Sequence, residues 1–211
     1  MLAPKVPAPF PLRWGFTTRL DGPELAPPMR LRQIHGCEIH RTTGDVQSGD
    51  GLWTQERGLP IGVRVADCVP VLLAGMTEGG PWAAALHAGW RGAVAGILRK
   101  GVALFMDRGG RPGELAWALG PCIRKCHFEV GPEVLEAARR DPAWDETLAE
   151  PRADRFHFDL PGFLRAQALD LGLDPARDGS VPLCTVCEPE LLFSYRRGDT
   201  EGRQWGFVEI L

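Results

Sequence analysis

The chain has 211 residues, 44% of them hydrophobic and 24% charged, with a formal net charge of −3 and a pI near 6.0. That length fits a single domain spanning 1–211 with a real core, and the slight acidity excludes the broad positive field that nucleic acid or an anionic membrane attracts. The opening stretch MLAPKVPAPFPLRW has no apolar centre of signal-peptide length, and no later run approaches the ~20 apolar residues of a transmembrane helix. We therefore expect a soluble, cytoplasmic protein acting on small molecules, with no obligatory protein partner. Six cysteines in such a chain favour reduced thiols or metal ligands over a disulfide framework.

In chain order, the Pro/Gly-rich stretch DGPELAPPM at 21–29 reads as a loop. The apolar runs IGVRVADCVPVLLAG at 61–75, WAAALHAGW at 82–90 and ELAWALGPCI at 114–123 are short, bounded by Gly or Pro, and read as buried strands. Pro70 interrupts the first of these and suits a sheet edge or bulge better than a central ladder. Residues 92–109 show apolar spacing of helical period and end at Gly109-Gly110, a helix stop. Two further amphipathic helices are expected at 132–141 and 160–173, the second with Asp159 as N-cap and Pro161 in its first turn. Strands and helices interleave irregularly, so the fold class expected is α+β.

Three local features carry chemistry. In HAGWRG at 87–92 an apolar strand ends in His87 and passes into a helix start, where free backbone N–H groups and Arg91 could hold an anion. In ADCVPVLL at 66–73, Asp67 and Cys68 sit beside an irregular strand. In RQIHG at 32–36, His35 follows Gln33, a further candidate for substrate contact. Taken singly each has an ordinary reading: His87 a satisfied core histidine, Cys68 an inert buried thiol, His35 a loop histidine. Together they offer imidazole, thiolate and imidazole, the ligands zinc prefers, and a catalytic zinc takes three protein ligands with a fourth position open. Their spacings of 33 and 19 residues are too long for a zinc finger and suit a site assembled from separate elements.

Other candidates are Cys122 with Cys126 and Cys184 with Cys187, a C-x3-C and a C-x2-C pair able to close a structural zinc site. His40, His127 and His157 have no evident partner. The run FSYRRGDTEGR at 193–203 brings Arg196, Arg197 and Arg203 near glycines, where a phosphate or carboxylate could bind.

RQIHG, ADCVPVLL, HAGWRG, GPCIRKCHFEVG at 120–131, and CT followed by FSYRRGDTEGR together resemble, in order, the signatures of the laccase-like YfiH/YlmD family, once called multicopper polyphenol oxidases. The resemblance runs from about residue 14 to the C-terminus. It implies zinc ligands at His35, Cys68 and His87 and an α+β, YfiH-like fold of packed mixed sheets covered by helices. It also implies phosphorolysis of adenosine, inosine, guanosine and 5′-methylthioadenosine, with deamination of adenosine. Arg91, Arg196 and Arg197 are then the phosphate candidates, and Asp67 and Arg91 the catalytic ones beside a metal that lowers the pKa of bound water toward ~7. One departure is the short segment LDGPELAPPMRL before RQIHG, where the family commonly has a longer, glycine-rich one, which bears on substrate range.

Two rival readings stay open. Without a metal, Cys68 and His87 could serve a cysteine hydrolase or deamidase. A copper-dependent phenol oxidase is the other, although five histidines with no H-x-H pair cannot populate several copper centres, so copper binding would be adventitious.

Overall fold

The computed structural model describes residues 1–22, 25, 27, 31–42 and 45–211. A mixed five-stranded sheet forms its middle layer: β3 (Ile39–Arg41), β5 (Gly51–Thr54), β7 (Val69–Thr77), β8 (Gly80–Ala88) and β9 (Ala116–Leu119), in the spatial order β3-β5-β8-β7-β9. Only β3 and β5 run parallel. β7 and β8 make a long hairpin in register from Val69 opposite Ala88 to Thr77 opposite Gly80. Along both strands side chains alternate between two cores. Val71, Leu73, Trp82 and Leu86 enter one, and Leu72, Ala74, Ala83 and Ala85 the other. Both faces are thus covered, which is why these runs are apolar without a polar alternate.

The first face packs against α1 (Trp90–Val94), α2 (Ile97–Met106), α3 (Pro132–Ala138) and α4 (Leu160–Asp170), which contribute Ala93, Phe105, Leu135 and Phe163 among others. The second packs against an antiparallel sheet of β1 (Leu12–Phe16), β13 (Gln204–Ile210) and β6 (Ile61–Val65), ordered β1-β13-β6, through Phe16, Ile61, Val63 and Val208. Fully buried Trp82, Trp117 and Phe105 anchor the helical side, and each side chain of this size contributes roughly 1.5–3 kcal/mol or more on burial. Smaller pairings complete the fold: β2 (Leu31–Arg32) beside β4 (Gln47–Ser48), and β12 (Arg155–Phe158) between β10 (Glu129–Val130) and β11 (Ala149–Arg152). This is the expected α+β architecture of packed mixed sheets covered by helices.

Several expected elements are redrawn. The run 61–75 is two strands in different sheets, β6 and β7, broken at 66–68 where Asp67 takes φ 89°. Pro70 lies in an interior strand, not at an edge. Its carbonyl accepts from Gly120 N at 2.9 Å, and its missing N–H faces the same side, beyond the last residue of β9, so no ladder bond within β9 is lost. The helix expected over 92–109 is divided at Gly96, φ 82°, into α1 and α2, and the turn after Met106 closes at Gly109, φ 80°; these left-handed conformations suit glycine. The strand expected at 114–123 shrinks to β9, and the two later helices end at Ala138 and Asp170. Asp159 does cap α4, accepting from Gly162 N at 3.1 Å. The loop expected at 21–29 lies mostly outside the described residues. No helix among the described residues is long and apolar enough to cross a membrane.

Candidate metal centre and its cavity

The break between β6 and β7 places Cys68 one residue before β7, and register puts His87, near the end of β8, opposite Pro70. His35 comes from the loop after β2. One donor atom from each of the three lies within 4.8 Å of the others, and the two imidazoles meet edge to face with centroids 4.8 Å apart. His87 is 3% exposed, and its Nδ1 lies 2.7 Å from Asp50 Oδ1. Asp50, wholly buried, also accepts from the backbone N–H groups of His35 at 2.9 Å, Gly36 at 2.7 Å and Ile34 at 3.3 Å. This carboxylate therefore fixes both histidines: one by its ring, leaving Nε2 for another partner, and one by its loop. His35 takes φ 60° there, a conformation costing about 1–3 kcal/mol in a non-glycine residue.

The electrostatics agree with the geometry. Burial works against the Cys68 thiolate, but hydrogen bonds to His35 and His87 and their positive charge bring the thiol down to about 7. Burial likewise opposes charge on His87, yet hydrogen bonds to Asp50 and Cys68 lift it to about 9. Cys68 and His87 thus each favour the other's charged form. A soft thiolate with two imidazoles, one oriented by a carboxylate, is the donor set zinc takes. The residues present fit that metal. Glycines keep the approach open: a Cβ on Gly89 would stand 3.1 Å from Cys68 Sγ, and one on Gly92 would stand 2.7 Å from the Gly36 carbonyl oxygen.

The trio opens onto a cavity of about 600 Å³ that Gln33, Arg64, Asp67, Tyr195, Arg196 and Arg203 also line, within the size range of small-molecule sites. The other expected residues divide. Asp67 has both carboxylate oxygens engaged, Oδ1 by the Thr185 hydroxyl at 2.6 Å and Oδ2 by Arg196 N at 2.7 Å, so it shapes the wall. Gln33 brackets β6, donating to the Arg64 carbonyl and accepting from Arg64 N, both at 2.8 Å. The guanidinium of Arg197 turns away into the carbonyls of Thr185 and Leu192, each at 2.7 Å, and Asp199 at 2.6 Å; the expected anion contact from it is corrected to an internal strut. Arg91 stacks over Trp90 with its Cζ 4.4 Å from the ring centroid and lines a smaller adjoining pocket of about 70 Å³ with His35 and Cys68. Sequence reasoning missed Asp50, Arg64, Phe128 and Tyr195. Arg64, Phe128 and Tyr195 sat inside runs already considered, at 61–75, 120–131 and 193–203, and only Asp50 lay outside them.

A fold of two packed sheets under helices, with a His–Cys–His centre at the mouth of one cavity, defines a candidate metal-assisted enzyme. The family described as multi-copper polyphenol oxidoreductase laccase matches residues 17–211, and the chain belongs to it. Over 187 residues it is 35% identical to the purine nucleoside phosphorylase YfiH of Shigella flexneri, covering 87% of this chain and 74% of that one. It is 33% identical to the adenosine deaminase RL5 of an unknown prokaryotic organism, covering 82% and 71%. The crystal structure of the Bacillus licheniformis hypothetical protein YfiH superposes with a TM-score of 0.79 at 26% identity, covering 87% of this chain and 74% of that one.

Proposed function

We propose that this protein is a zinc-dependent purine nucleoside phosphorylase that also deaminates adenosine, with His35, Cys68 and His87 holding the metal. The observation that carries this reading is the convergence of those three donors at one end of an arginine-rimmed cavity. The names of the relatives, one a phosphorylase and one a deaminase, supply the reaction classes. Zinc bound there would supply a Lewis acid beside the substrate.

The chain's own residues do the remainder. Arg196 and Arg203 line the cavity while donating in part to backbone carbonyls, Arg196 to Glu129 at 3.2 Å and Arg203 to Gly202 at 2.6 Å; their remaining donors are matched to phosphate, and Arg64 stands at the same wall. Phe128 and Tyr195 supply apolar and aromatic surface for a purine. Asp67, held by Thr185 and by the Arg196 backbone, fixes the stretch carrying Cys68, while Arg91 closes the side pocket. Phosphate held against the anomeric carbon would displace the base by proximity and charge neutralisation.

Adenosine incubated with and without phosphate, followed chromatographically for adenine, inosine and hypoxanthine, tests this. Phosphate-dependent adenine and phosphate-independent inosine are expected from the zinc-loaded protein, and both vanish in Cys68→Ala. No turnover by zinc-loaded protein, or full turnover by Cys68→Ala, overturns it.

A specific observation also favours a second reading: a thiol brought down to about 7 beside His87 is what a cysteine hydrolase needs. Alkylation separates the two. A metal-held thiolate resists iodoacetamide until chelator is added, whereas a free nucleophile reacts at once.

A further inference from the structure

A second cluster lies outside that centre. Cys126 and His127 occupy the turn after Ile123, and Cys184 and Cys187 the turn after Leu183, and one donor atom from each of the four lies within 4.8 Å of the rest. We propose that these four side chains form a closed, structural zinc site. The four cysteines paired in the sequence are therefore not the set that converges. Cys122 is buried and points into the helical core, and His127 takes its place.

The distances carry the assignment. With zinc about 2.3 Å from sulfur and about 2.0–2.1 Å from nitrogen, a tetrahedron sets S···S near ~3.8 Å and S···N near ~3.6 Å. Cys126 Sγ stands 3.7 Å from Cys184 Sγ and 3.8 Å from Cys187 Sγ. His127 Nδ1 stands 3.2, 3.8 and 3.5 Å from the sulfurs of Cys126, Cys184 and Cys187. All four are therefore spaced as the corners of one coordination shell. Every cysteine is free, and these sulfurs are far beyond the ~2.05 Å of a disulfide bond.

Local backbone supports the same reading. Backbone N–H groups of Cys187, Arg124 and Val186 point at the Cys184 sulfur, the pattern of a C-x2-C turn wrapped round a metal. Three of the four residues are exposed, so apolar packing does not explain why they gather. Four protein ligands leave no open position, which marks a structural and not a catalytic site.

The site ties two turns to the cavity. On one side it holds the stretch carrying Ile123 and Phe128, both cavity-lining. On the other it fixes Thr185, whose hydroxyl holds Asp67. The inference stands on these residues alone and is independent of the function proposed above.

The test uses the full chain expressed with added zinc and kept reduced. Elemental analysis is expected to give two zinc per wild-type chain and one in Cys68→Ala. X-ray absorption of that remaining zinc should show three sulfurs and one nitrogen. Cobalt substituted into Cys68→Ala should give thiolate charge-transfer absorption of three-sulfur intensity. No zinc in Cys68→Ala, or a remaining zinc with any other donor set, overturns the proposal. Neither readout requires a variant of the cluster itself, and loss of nucleoside turnover would not affect either.

Discussion

Replacing Asp50 by Asn changes one atom in the most heavily used carboxylate of the site. Its two oxygens receive four donors: His87 Nδ1 and His35 N on Oδ1, Gly36 N and Ile34 N on Oδ2. An amide has only one accepting end. If its nitrogen faces Gly36 and Ile34, two part-buried hydrogen bonds are lost at about 0.5–1.5 kcal/mol each, so the His35 loop is destabilised by about 1–3 kcal/mol. If the nitrogen faces His87 instead, Nδ1 must become the acceptor, the proton moves to Nε2, and the ring presents the wrong tautomer to a metal. Either arrangement lowers stability, and the second lowers zinc affinity by about 10–100-fold. Urea unfolding of chelator-treated Asp50→Asn measures the first effect, and competition with a chromophoric zinc chelator the second. A variant that unfolds within about 0.5 kcal/mol of the parent and holds zinc equally well would refute the role given to Asp50.

Gly92→Ala drives a methyl to 2.7 Å from the Gly36 carbonyl oxygen, so α1 or the His35 loop must shift. Overpacking of about 1–3 kcal/mol outweighs the helix propensity gained, and a melting temperature at or above that of the parent would contradict it. Asp141 accepts from Arg99 Nη2 at 2.6 Å and Nε at 3.0 Å, and from Gln167 at 2.8 Å, joining α2 to α4. Burial works against its charge, but the Arg99 guanidinium holds it below its ordinary 3.8. A depressed acid stabilises the fold above its unfolded value and loses that contribution as pH falls through the folded one. Asp141→Asn should therefore cost about 1–3 kcal/mol at neutral pH, with the gap to the parent closing below about pH 4; a gap constant from pH 7 to 3 in denaturant titrations would exclude this linkage. Arg196→Ala keeps the backbone N–H that holds Asp67 and removes a guanidinium from the cavity. KM for phosphate should rise about tenfold or more with KM for adenosine little changed, and equal rises in both would point to a collapsed wall.

The gathering of His35, Cys68 and His87 was legible because imidazole and thiolate are donor types a metal takes and because the motifs carrying them resemble one family in order, and the hairpin strands were legible because burial on both faces leaves uninterrupted apolar runs. Asp50 was not. It lies in an SGDG stretch that reads as a turn, 15 residues from His35 and 37 from His87, and only the pairing of β5 with β8 carries it beside the ring. The break at 66–68 was hidden for a related reason. Left-handed backbone is usually marked by glycine, and here it is imposed on an aspartate by bonds from Thr185 and Arg196, more than 100 residues on. His127 lacked a visible set of partners because two of the three, Cys184 and Cys187, sit on a turn 57 residues or more further along the chain.

Among the described residues, three non-glycine positions have positive φ, and two of them, His35 and Asp67, flank or form the donor trio. Each conformation costs about 1–3 kcal/mol, and each is held by a carboxylate with both oxygens satisfied: Asp50 for the His35 loop, Asp67 by its own side chain. Asp67 also accepts from Ile123 N at 2.8 Å through its carbonyl. The chain leaves the outer sheet at Val65 and enters the middle sheet at Val69, so three residues cross between layers, and the strained one throws Cys68 toward His87. The third donor sits on regular β8 and needs no strain. Two strained loops and one rigid strand thus bring the donors together through protein contacts alone, and the strain is offset by hydrogen bonds to buried or half-buried carboxylates. Support of this kind from buried partners holds donor side chains within the narrow geometric tolerance that a functional site needs.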